Sequence, residues 1–510
     1  MFLRWTVPMF AVAMAAGCFD APVASPPTRV TQSTPIYVPQ NARNQADVLF
    51  MVDNSPSMGA MQAQLQAHFK DFLQVFDNLS KDGTYADLHV GVVTSDYGAG
   101  HSTSGSGCDP SPGGQKGLLQ AIGAAAQPGC MAPVGAPFIA YAYGPSGATS
   151  NLPAGQDLAS TFTCMASVGS GGCGFEHQLE STYAALRNAK ENAGFLRDGA
   201  FLTVVFVTNE DDGSAPPDTH IYDPGSSPLL GAYSTFRQTR FAIACGGALV
   251  PYEPSGPLMS CASAPAALQA QALMSLTPDD ATYDLARYIN FFNQPLSRGG
   301  VKLDPANDVI LVGITGPSTP FSTLLAEVGT GNGTQPSPSY VPCPSLSSSC
   351  VVALQHSCQN RAAPAFFADP GVRINAVIDA APTHQVTSIC GDDLDQAPDY
   401  SQALEKVANL IKSHIADGCI PAPLTDPSNP DCVVEDVTHG PNGDQQTLIP
   451  RCDQAAGTFP CWKVEAKADC KTSSPEGLGV TIERNGAPAP PGTTAEVSCS
   501  TIAGSSADMN

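Results

Sequence analysis

The stretch DVLFMVDNSPSM at residues 47–58 constrains the fold of this 510-residue chain more than any other feature. An apolar run stops at Asp53, and Ser55 and Ser57 follow at alternate positions before a helical pattern begins. This order predicts a buried strand, then a ligand loop, then a helix. In an open α/β sheet the loops at the carboxyl ends of the strands form the binding crevice, so we expect these three side chains to face a shared ligand. One carboxylate and two hydroxyls are hard oxygen donors, which suit Mg²⁺, Mn²⁺ or Ca²⁺ better than zinc.

Further patterns extend this unit to an α/β domain. Apolar residues recur at helical spacing through residues 58–79, and a second strand pattern follows at residues 86–98. The apolar run at residues 201–207 predicts a parallel strand that is buried on both faces. The expected fold class is therefore α/β, with a doubly wound, mostly parallel sheet.

The pattern Asp-x-Ser-x-Ser after the first strand resembles the von Willebrand factor A family, whose metal-ion-dependent adhesion site carries this motif. The resemblance implies a von Willebrand factor A-like domain at residues 45–418. It also implies a bound Mg²⁺, with Mn²⁺ or Ca²⁺ as substitutes, and an acidic side chain of a protein partner that completes the ion's coordination.

Two more ligands are implied by the resemblance. The family has a threonine in the loop before a later helix, where Ser170 is the nearest residue of this chain and Ser167 the second choice. The family also has an aspartate after the strand at residues 201–207, where this chain has Asn209. Because an amide oxygen carries no charge, we expect weaker binding of Mg²⁺ unless Asp211 or Asp212 contributes.

Other interpretations remain open. Ser57 could cap the helix while Asp53 only ends a strand, and residues 210–212 could form a solvated acidic loop. A structural envelope protein with a degenerate metal site is the first alternative function. A metal-assisted hydrolase is less favoured, because the sequence contains no Gly-x-Ser-x-Gly, His-Glu-x-x-His or P-loop pattern.

The charge of the chain narrows the choice of partner. Lys and Arg number 23 against 46 Asp and Glu, which gives a net charge of -23. Such a surface argues against nucleic acid or an anionic lipid surface as the partner.

The N-terminus predicts export and lipid anchoring. Residues 1–18 combine one basic residue, an apolar stretch and the sequence AAGC, which resembles the lipobox of bacterial lipoproteins, with Cys18 as the lipidated residue. An ordinary signal peptide remains the alternative. Residues 19–44 are rich in Pro, Ser, Thr and Gln and predict a flexible tether. We therefore expect the protein at the bacterial cell envelope, on the outer membrane or cell surface, attached to the membrane by lipid alone.

The cysteines predict disulfides and mark insertions. The chain has 17 cysteines, and those other than Cys18 are even in number, which is consistent with complete pairing into disulfides in an oxidising compartment. Long insertions are expected near residues 99–168, 215–280 and 318–365, and Cys245 with Cys261 is a plausible pair in the second. Residues 419–510 show short alternating runs typical of a small β module. The cysteines after Cys419 are odd in number, so one of them must pair outside this group, and Cys419 is the expected partner.

Overall fold

The predicted first strand forms the middle of a seven-stranded sheet in the computed structural model. The structure describes residues 31–39, 44–81, 85–100, 114–187, 190–223, 230–273, 281–327, 341–347, 349–415, 419–420, 422–438, 445–467, 470, 474–485 and 493–502. The strands are β1 (Thr31–Pro39), β2 (Gln45–Val52), β3 (Asp87–Thr94), β4 (Ile139–Ala142), β5 (Thr149–Ser150), β6 (Phe201–Val207), β7 (Ile243–Cys245), β8 (Ala248–Leu249), β9 (Ser255–Leu258), β10 (Cys261–Ser263), β11 (Val309–Thr315), β12 (Phe321–Glu327), β13 (Cys350–Gln355), β14 (Cys358–Gln359), β15 (Phe367–Ala368), β16 (Thr383–Ser388), β17 (Cys432–Thr438), β18 (Gln445–Leu448), β19 (Cys461–Ala466), β20 (Leu478–Glu483) and β21 (Thr493–Ile502). The helices are α1 (Gly59–Lys81), α2 (Leu158–Ala166), α3 (Gln178–Arg187), α4 (Thr235–Ala242), α5 (Ala266–Ala272), α6 (Ala286–Asn293), α7 (Pro305–Asp308), α8 (Val372–Asp379) and α9 (Ser401–Ile415).

The central sheet has the strand order β16-β11-β6-β2-β3-β4-β5. The first five of these strands are parallel, and the edge strands β4 and β5 are antiparallel. When the short β5 is set aside, the order along the chain is 3-2-1-4-5-6, the order of a doubly wound sheet. The chain therefore has the expected mixed α/β fold with a mostly parallel sheet, and its strand order reverses between β2 and β6.

Helices cover both faces of this sheet. Alternate residues of a strand point to opposite faces. Phe50 and its alternate neighbours in β2 pack in a cluster with α1, α2 and α9, whereas Leu49 and Met51 pack in a second cluster with α3, α6 and α8. The ring of Phe50 lies 4.9 to 6.0 Å, between centroids, from the rings of Phe69, Phe72 and Phe162. This burial on both faces holds the carboxyl end of β2 in place.

The insertions contain more secondary structure than the sequence predicts. The first insertion supplies β4, β5 and α2, and the second supplies α4, α5 and the strands β7 to β10. The helix α2 begins at a capping box in which Asp157 and Ser160 exchange hydrogen bonds. The insertions are therefore packed parts of the domain.

The C-terminal β module includes a strand from the other end of the chain. Its larger sheet has the order β1-β21-β17-β18, and β1 pairs antiparallel with β21 from Thr31 opposite Ile502 to Pro39 opposite Thr494. The prediction of a flexible tether is therefore wrong for residues 31–39, which form a strand. The reason is a pairing partner far away in sequence, which local composition does not reveal.

Disulfides staple the insertions and the β module. The described pairs are Cys130–Cys164, Cys245–Cys261, Cys343–Cys350, Cys358–Cys390, Cys419–Cys470, Cys432–Cys499 and Cys452–Cys461. These confirm the pairing of Cys245 with Cys261 and the role of Cys419 as the outside partner of the module. Every cysteine in the described ranges is disulfide-bonded, as is typical of exported proteins. The predicted lipobox and Cys18 lie outside the described residues.

Among the helices that the structure describes, none combines the length and the apolar character needed to cross a bilayer.

Candidate metal centre

The predicted ligand loop lies at the point where the strand order of the sheet reverses. Asp53 follows β2 directly, and Thr208 and Asn209 follow the neighbouring parallel strand β6. The backbone N–H of Asp53 donates to the carbonyl of Val207 at 3.0 Å, which keeps the two strand ends paired. In doubly wound folds, ligands bind in the crevice beside this reversal. The fold therefore brings residues distant in sequence to one crevice.

Asp53 is completely buried at the base of this crevice. Its Oδ2 accepts a hydrogen bond from Thr208 Oγ1 at 2.6 Å. Its Oδ1 accepts from the backbone N–H of Ser55 at 2.8 Å and from Ser95 Oγ at 3.2 Å. Burial raises the pKa of Asp53, and these hydrogen bonds oppose the rise because they favour the charged form. The carboxylate is thus fixed by bonds from three loops.

Three neutral oxygens lie next to one another beside Asp53. Ser57 Oγ donates to Asn209 Oδ1 at 3.1 Å, and Ser55 Oγ lies 3.1 Å from Ser57 Oγ. Adjacent ligands of an octahedral ion with bonds of 2.0–2.1 Å are about 2.9 Å apart. The spacing of these oxygens is therefore close to that of neighbouring ligands on one small divalent ion.

The alternative role of Ser57 as a helix cap does not match the structure. Ser57 lies inside a short 3₁₀ turn, Pro56–Met58, that precedes α1, and Ser55 holds the position before that turn without a capping hydrogen bond from its side chain. The hydroxyl of Ser57 is directed to Asn209 instead. The serines of the Asp-x-Ser-x-Ser pattern therefore place their hydroxyl oxygens next to one another and next to Asn209, and they do not cap the helix.

A glycine-rich turn closes one side of the crevice. Gln62 Nε2, in α1, donates to the carbonyl oxygens of Asp53 and Gly169, both at 2.8 Å. The N–H of Gly172 donates to the carbonyl of Asn54 at 2.9 Å. A Cβ at residue 172 would lie 2.4 Å from the side chain of Asn54, so a larger residue there would require that side chain to move. The turn is held against the ligand loop from both ends.

The serines that the resemblance implied as a further ligand have other positions. Ser170 is exposed in the glycine-rich turn. The hydroxyl of Ser167 donates to the carbonyl of Thr163 at 2.7 Å, at the end of α2. Neither makes a described contact with Asp53, Ser55 or Ser57.

The acidic residues after Asn209 are buried, so a solvated loop is excluded for them. Glu210, Asp211 and Asp212 are at most 5% exposed. The carboxylate of Asp211 accepts from the backbone N–H groups of Arg373 and Ile374 at 2.9 to 3.1 Å, which caps α8. Burial raises the pKa of Asp211 to about 6. Asp211, a predicted ligand, is therefore bound to a helix N-terminus instead of to the serines of the ligand loop.

Two carboxylates that the sequence did not single out lie in the crevice. Glu176 is 0% and Glu210 5% exposed. Both oxygens of Glu176 and Oε1 of Glu210 have no hydrogen-bond partner among the described residues. Burial and then the charge of Asp53 raise the pKa of both groups well above the usual range. The one sequence signal for Glu176 was a carboxylate between the glycine-rich turn and the following helix.

The donors of the crevice fit a divalent cation of the hard type. Buried carboxylate oxygens without partners, beside clustered hydroxyl and amide oxygens, are what such an ion requires. Within the described ranges, the only trio of His, Cys or acidic ligand atoms that lie within 4.8 Å of one another is Cys452, Cys461 and Glu483. Since those two cysteines form a disulfide, that trio is no metal site. It also follows that the carboxylate oxygens of Asp53, Glu176 and Glu210 do not all lie within 4.8 Å of one another.

Comparisons with known proteins leave the family open. No family model matches the chain, and no curated protein matches it. Among solved structures, the pilus adhesin SpaC from Lactobacillus rhamnosus GG in its open conformation is 10% identical with a TM-score of 0.28, over 92% of this chain and 42% of that one. The pilus adhesin RrgA from Streptococcus pneumoniae is 8% identical with a TM-score of 0.26, over 92% of this chain and 58% of that one. This chain thus spans less than two thirds of either adhesin, and similarity at this level carries no argument about fold or function.

Proposed function

We propose that this protein is an exported binding protein with a von Willebrand factor A-type domain, which engages a protein partner through a divalent cation. The ion, Mg²⁺ or in its place Mn²⁺ or Ca²⁺, is held by Asp53, Ser55 and Ser57, with Asn209 beside them. One observation carries the proposal: Ser57 Oγ lies 3.1 Å from each of two further neutral oxygens, those of Ser55 and Asn209, beside a fully buried carboxylate where the sheet reverses its strand order.

When bound, the ion would supply a positive charge that attracts an oxygen of the partner. The chain's own residues fix the donors. Thr208 and Ser95 orient the carboxylate of Asp53, and Gln62 ties the ligand loop to the glycine-rich turn. The partner's donor is an acidic side chain, as the resemblance implies. The protein is attached to the envelope by a lipid at Cys18.

Binding fits this crevice better than catalysis. His177 is the histidine next to Glu176 in the chain, and its Nε2 lies 3.0 Å from both the carbonyl of Gly98 and the hydroxyl of Tyr222. Its ring is buried and burial lowers its pKa to about 4. The ring is thus held within the protein and poorly placed to act as a general base.

Calorimetric titration of residues 19–510, which are the mature chain without its lipidated cysteine, with Mg²⁺, Mn²⁺ and Ca²⁺ tests the metal site. We expect saturable binding that Asp53→Asn abolishes. Asp198→Asn is the matched control, because Asp198 is exposed and lies outside the crevice. Absence of saturable binding to the wild type would overturn the proposal, and the alternative of a structural protein with a degenerate site would then stand.

Panning a phage-displayed random-peptide library against the immobilised protein in Mg²⁺ tests the acidic partner. We expect peptides that EDTA elutes and that share an Asp or Glu at one position. Binders that EDTA does not elute, or that lack an acidic residue, would refute an acidic contact at the ion.

A further inference from the structure

The contacts of two buried glutamates, Glu176 and Glu210, do not explain why the fold keeps a carboxylate at either position. Glu176 is completely buried, and neither of its oxygens has a donor at full hydrogen-bond geometry, although the hydroxyl of Ser95 lies close enough to favour the charged form. Glu210 is nearly as buried, and its Oε1 has no partner either. A buried carboxylate without a partner is strongly unfavourable unless a cation or proton neutralises it. The buried guanidinium of Arg373 is ion-paired with Asp212 and is not a described partner of either glutamate.

The backbone holds Glu176 in the crevice from several sides. Glu176 forms an isolated antiparallel bridge with Asp96, just beyond β3. Its N–H donates to the side-chain oxygen of Gln238 at 3.0 Å, and its carbonyl accepts from the N–H of Gly213 at 2.9 Å. With so many bonds on its backbone, the position of this glutamate is built into the fold.

Glu210 is held in the same way by residues beside Asp53. Its N–H donates to Thr208 Oγ1 at 3.2 Å, and its carbonyl accepts from Gln178 Nε2 at 3.3 Å. Thr208 in turn donates to Asp53. The same threonine therefore sets the position of both acidic residues.

Hydrogen bonds connect the segments of both glutamates to Asp53. The N–H of His177, the residue after Glu176, donates to the carbonyl of Ser95 at 3.1 Å, and the hydroxyl of Ser95 donates to Asp53 Oδ1 at 3.2 Å. After burial, the charge of Asp53 is the largest cause that raises the pKa of Glu176 and also that of Glu210. The hydroxyl of Ser57 favours the charged form of Glu210. Both glutamates thus share the surroundings of the Asp-x-Ser-x-Ser loop.

We propose that Glu176 and Glu210 are charged ligands of the ion at Asp53, directly or through a water, and supply the negative charge that Asn209 lacks. The inference rests on the proposed metal site and adds to it. Because the chain then carries the counter-charge itself, the ion stays bound in the absence of a partner. Since the carboxylates do not all lie within 4.8 Å of one another, at least one of them reaches the ion through a water, and the position of that water stays open for the partner's oxygen.

The test compares Glu176→Gln and Glu210→Gln with the wild type in the full mature chain, by Mg²⁺ and Mn²⁺ calorimetry and by thermal unfolding with and without EDTA. We expect each variant to bind metal at least tenfold more weakly. In EDTA, each should unfold at the same temperature as the wild type or higher, because the amide removes a buried like charge. Glu191→Gln, at an exposed position, is the matched control and should change neither quantity.

The possible outcomes separate this inference from the proposed function. If the wild type binds metal, Asp53→Asn does not, and both glutamine variants bind within twofold of the wild type, the inference is wrong and the metal site stands. A lower unfolding temperature of the variants in EDTA also overturns it, because the carboxylates would then serve bonds within the protein. If the wild type binds no metal, the proposed function itself fails.

Discussion

Thr208 Oγ1 donates a hydrogen bond of 2.6 Å to Asp53 Oδ2 and so joins the residues that follow two neighbouring parallel strands. The same oxygen lies 3.0 Å from Gln178 Nε2 and 3.2 Å from the N–H of Glu210, and it accepts from both. Because a hydroxyl has one proton, that proton is committed to the shortest of these contacts. The loop after β6 and the start of α3 therefore contribute to the orientation of the Asp53 carboxylate, together with Ser55 and Ser95.

Thr208→Val keeps the shape of the side chain and removes these bonds. Asp53 Oδ2 and Gln178 Nε2 would be left buried without this partner. We expect a loss of about 2 kcal/mol in the free energy of unfolding, measured by urea denaturation in EDTA. We also expect weaker Mg²⁺ binding in calorimetry, since the carboxylate loses its orientation.

Thr203→Val is the control for this substitution. Thr203 lies in β6, the strand that Thr208 follows; it is completely buried, and its hydroxyl has no described partner. The valine should leave stability unchanged or raise it, because no hydrogen bond is lost and a buried polar group is removed. Equal losses in the free energy of unfolding for the two variants would show that the hydrogen bonds of Thr208 do not stabilise the fold specifically.

Arg373→Met should be among the most destabilising changes in the domain. The side chain of Arg373 is completely buried, with Nη2 3.2 Å from Asp212 Oδ2 and Nη1 2.6 Å from Ser263 Oγ. Asp212 Oδ1 also accepts from the N–H of Leu179 at the start of α3. Loss of one partner of a buried ion pair leaves an uncompensated charge, which costs about 3–5 kcal/mol. Denaturant unfolding of the variant measures this loss.

Arg361→Met provides the comparison at the surface. Arg361 forms a two-pronged ion pair with Asp395 at 2.5 and 2.7 Å, but both side chains are about two-thirds exposed. Solvent screens exposed pairs, so this variant should unfold at nearly the same denaturant concentration as the wild type. If the two arginine variants lost similar stability, burial would not be the deciding factor.

The residues of the candidate site that the sequence predicts are those that lie close together in the chain. Asp53, Ser55 and Ser57 fall within one strand-to-helix connection, so a local pattern is enough to predict them. Glu176 enters the crevice because its segment pairs with the end of β3. Asp211 faces a helix N-terminus that arrives from much later in the chain. Neither contact has a local signature.

The length of a strand and the distance in sequence to its pairing partner explain which strands could be predicted and which could not. The long apolar strands β2 and β6 were predictable because both faces are buried. The strand β4 has four residues and lies in a segment rich in glycine and proline, which gives too short a pattern to recognise. The strand β1 depends on β21, at the other end of the chain.

Deletion of residues 19–39 should expose one edge of β21. Backbone amides of β21 that bond to β1 would lose their partners, so we expect faster hydrogen exchange at alternate residues of β21. The hairpin of β19 and β20 belongs to a separate two-stranded sheet, and its exchange should stay as in the full chain. Unchanged exchange in β21 would show that β1 contributes no protection.

His177 gives the domain a defined loss of stability in acid. Burial lowers its pKa to about 4 in the folded protein, against about 6.5 in an unfolded chain. As the pH falls below about 6.5, the unfolded chain gains a proton that the folded one does not, so the free energy of unfolding decreases by up to about 1.4 kcal/mol per pH unit until about pH 4. Above pH 7 the ring is neutral in both states and contributes no pH dependence.

His177→Gln isolates this contribution, because the acidic groups around it titrate in both proteins. The amide can still donate toward the carbonyl of Gly98, which His177 Nε2 contacts at 3.0 Å. We expect the stability advantage of the wild type over the variant, measured by urea denaturation in EDTA, to shrink by on the order of 3 kcal/mol between pH 7 and pH 4. Parallel stability curves for the two proteins would mean that His177 takes up its proton equally well in the folded state, and that its burial exerts no effect on its charge.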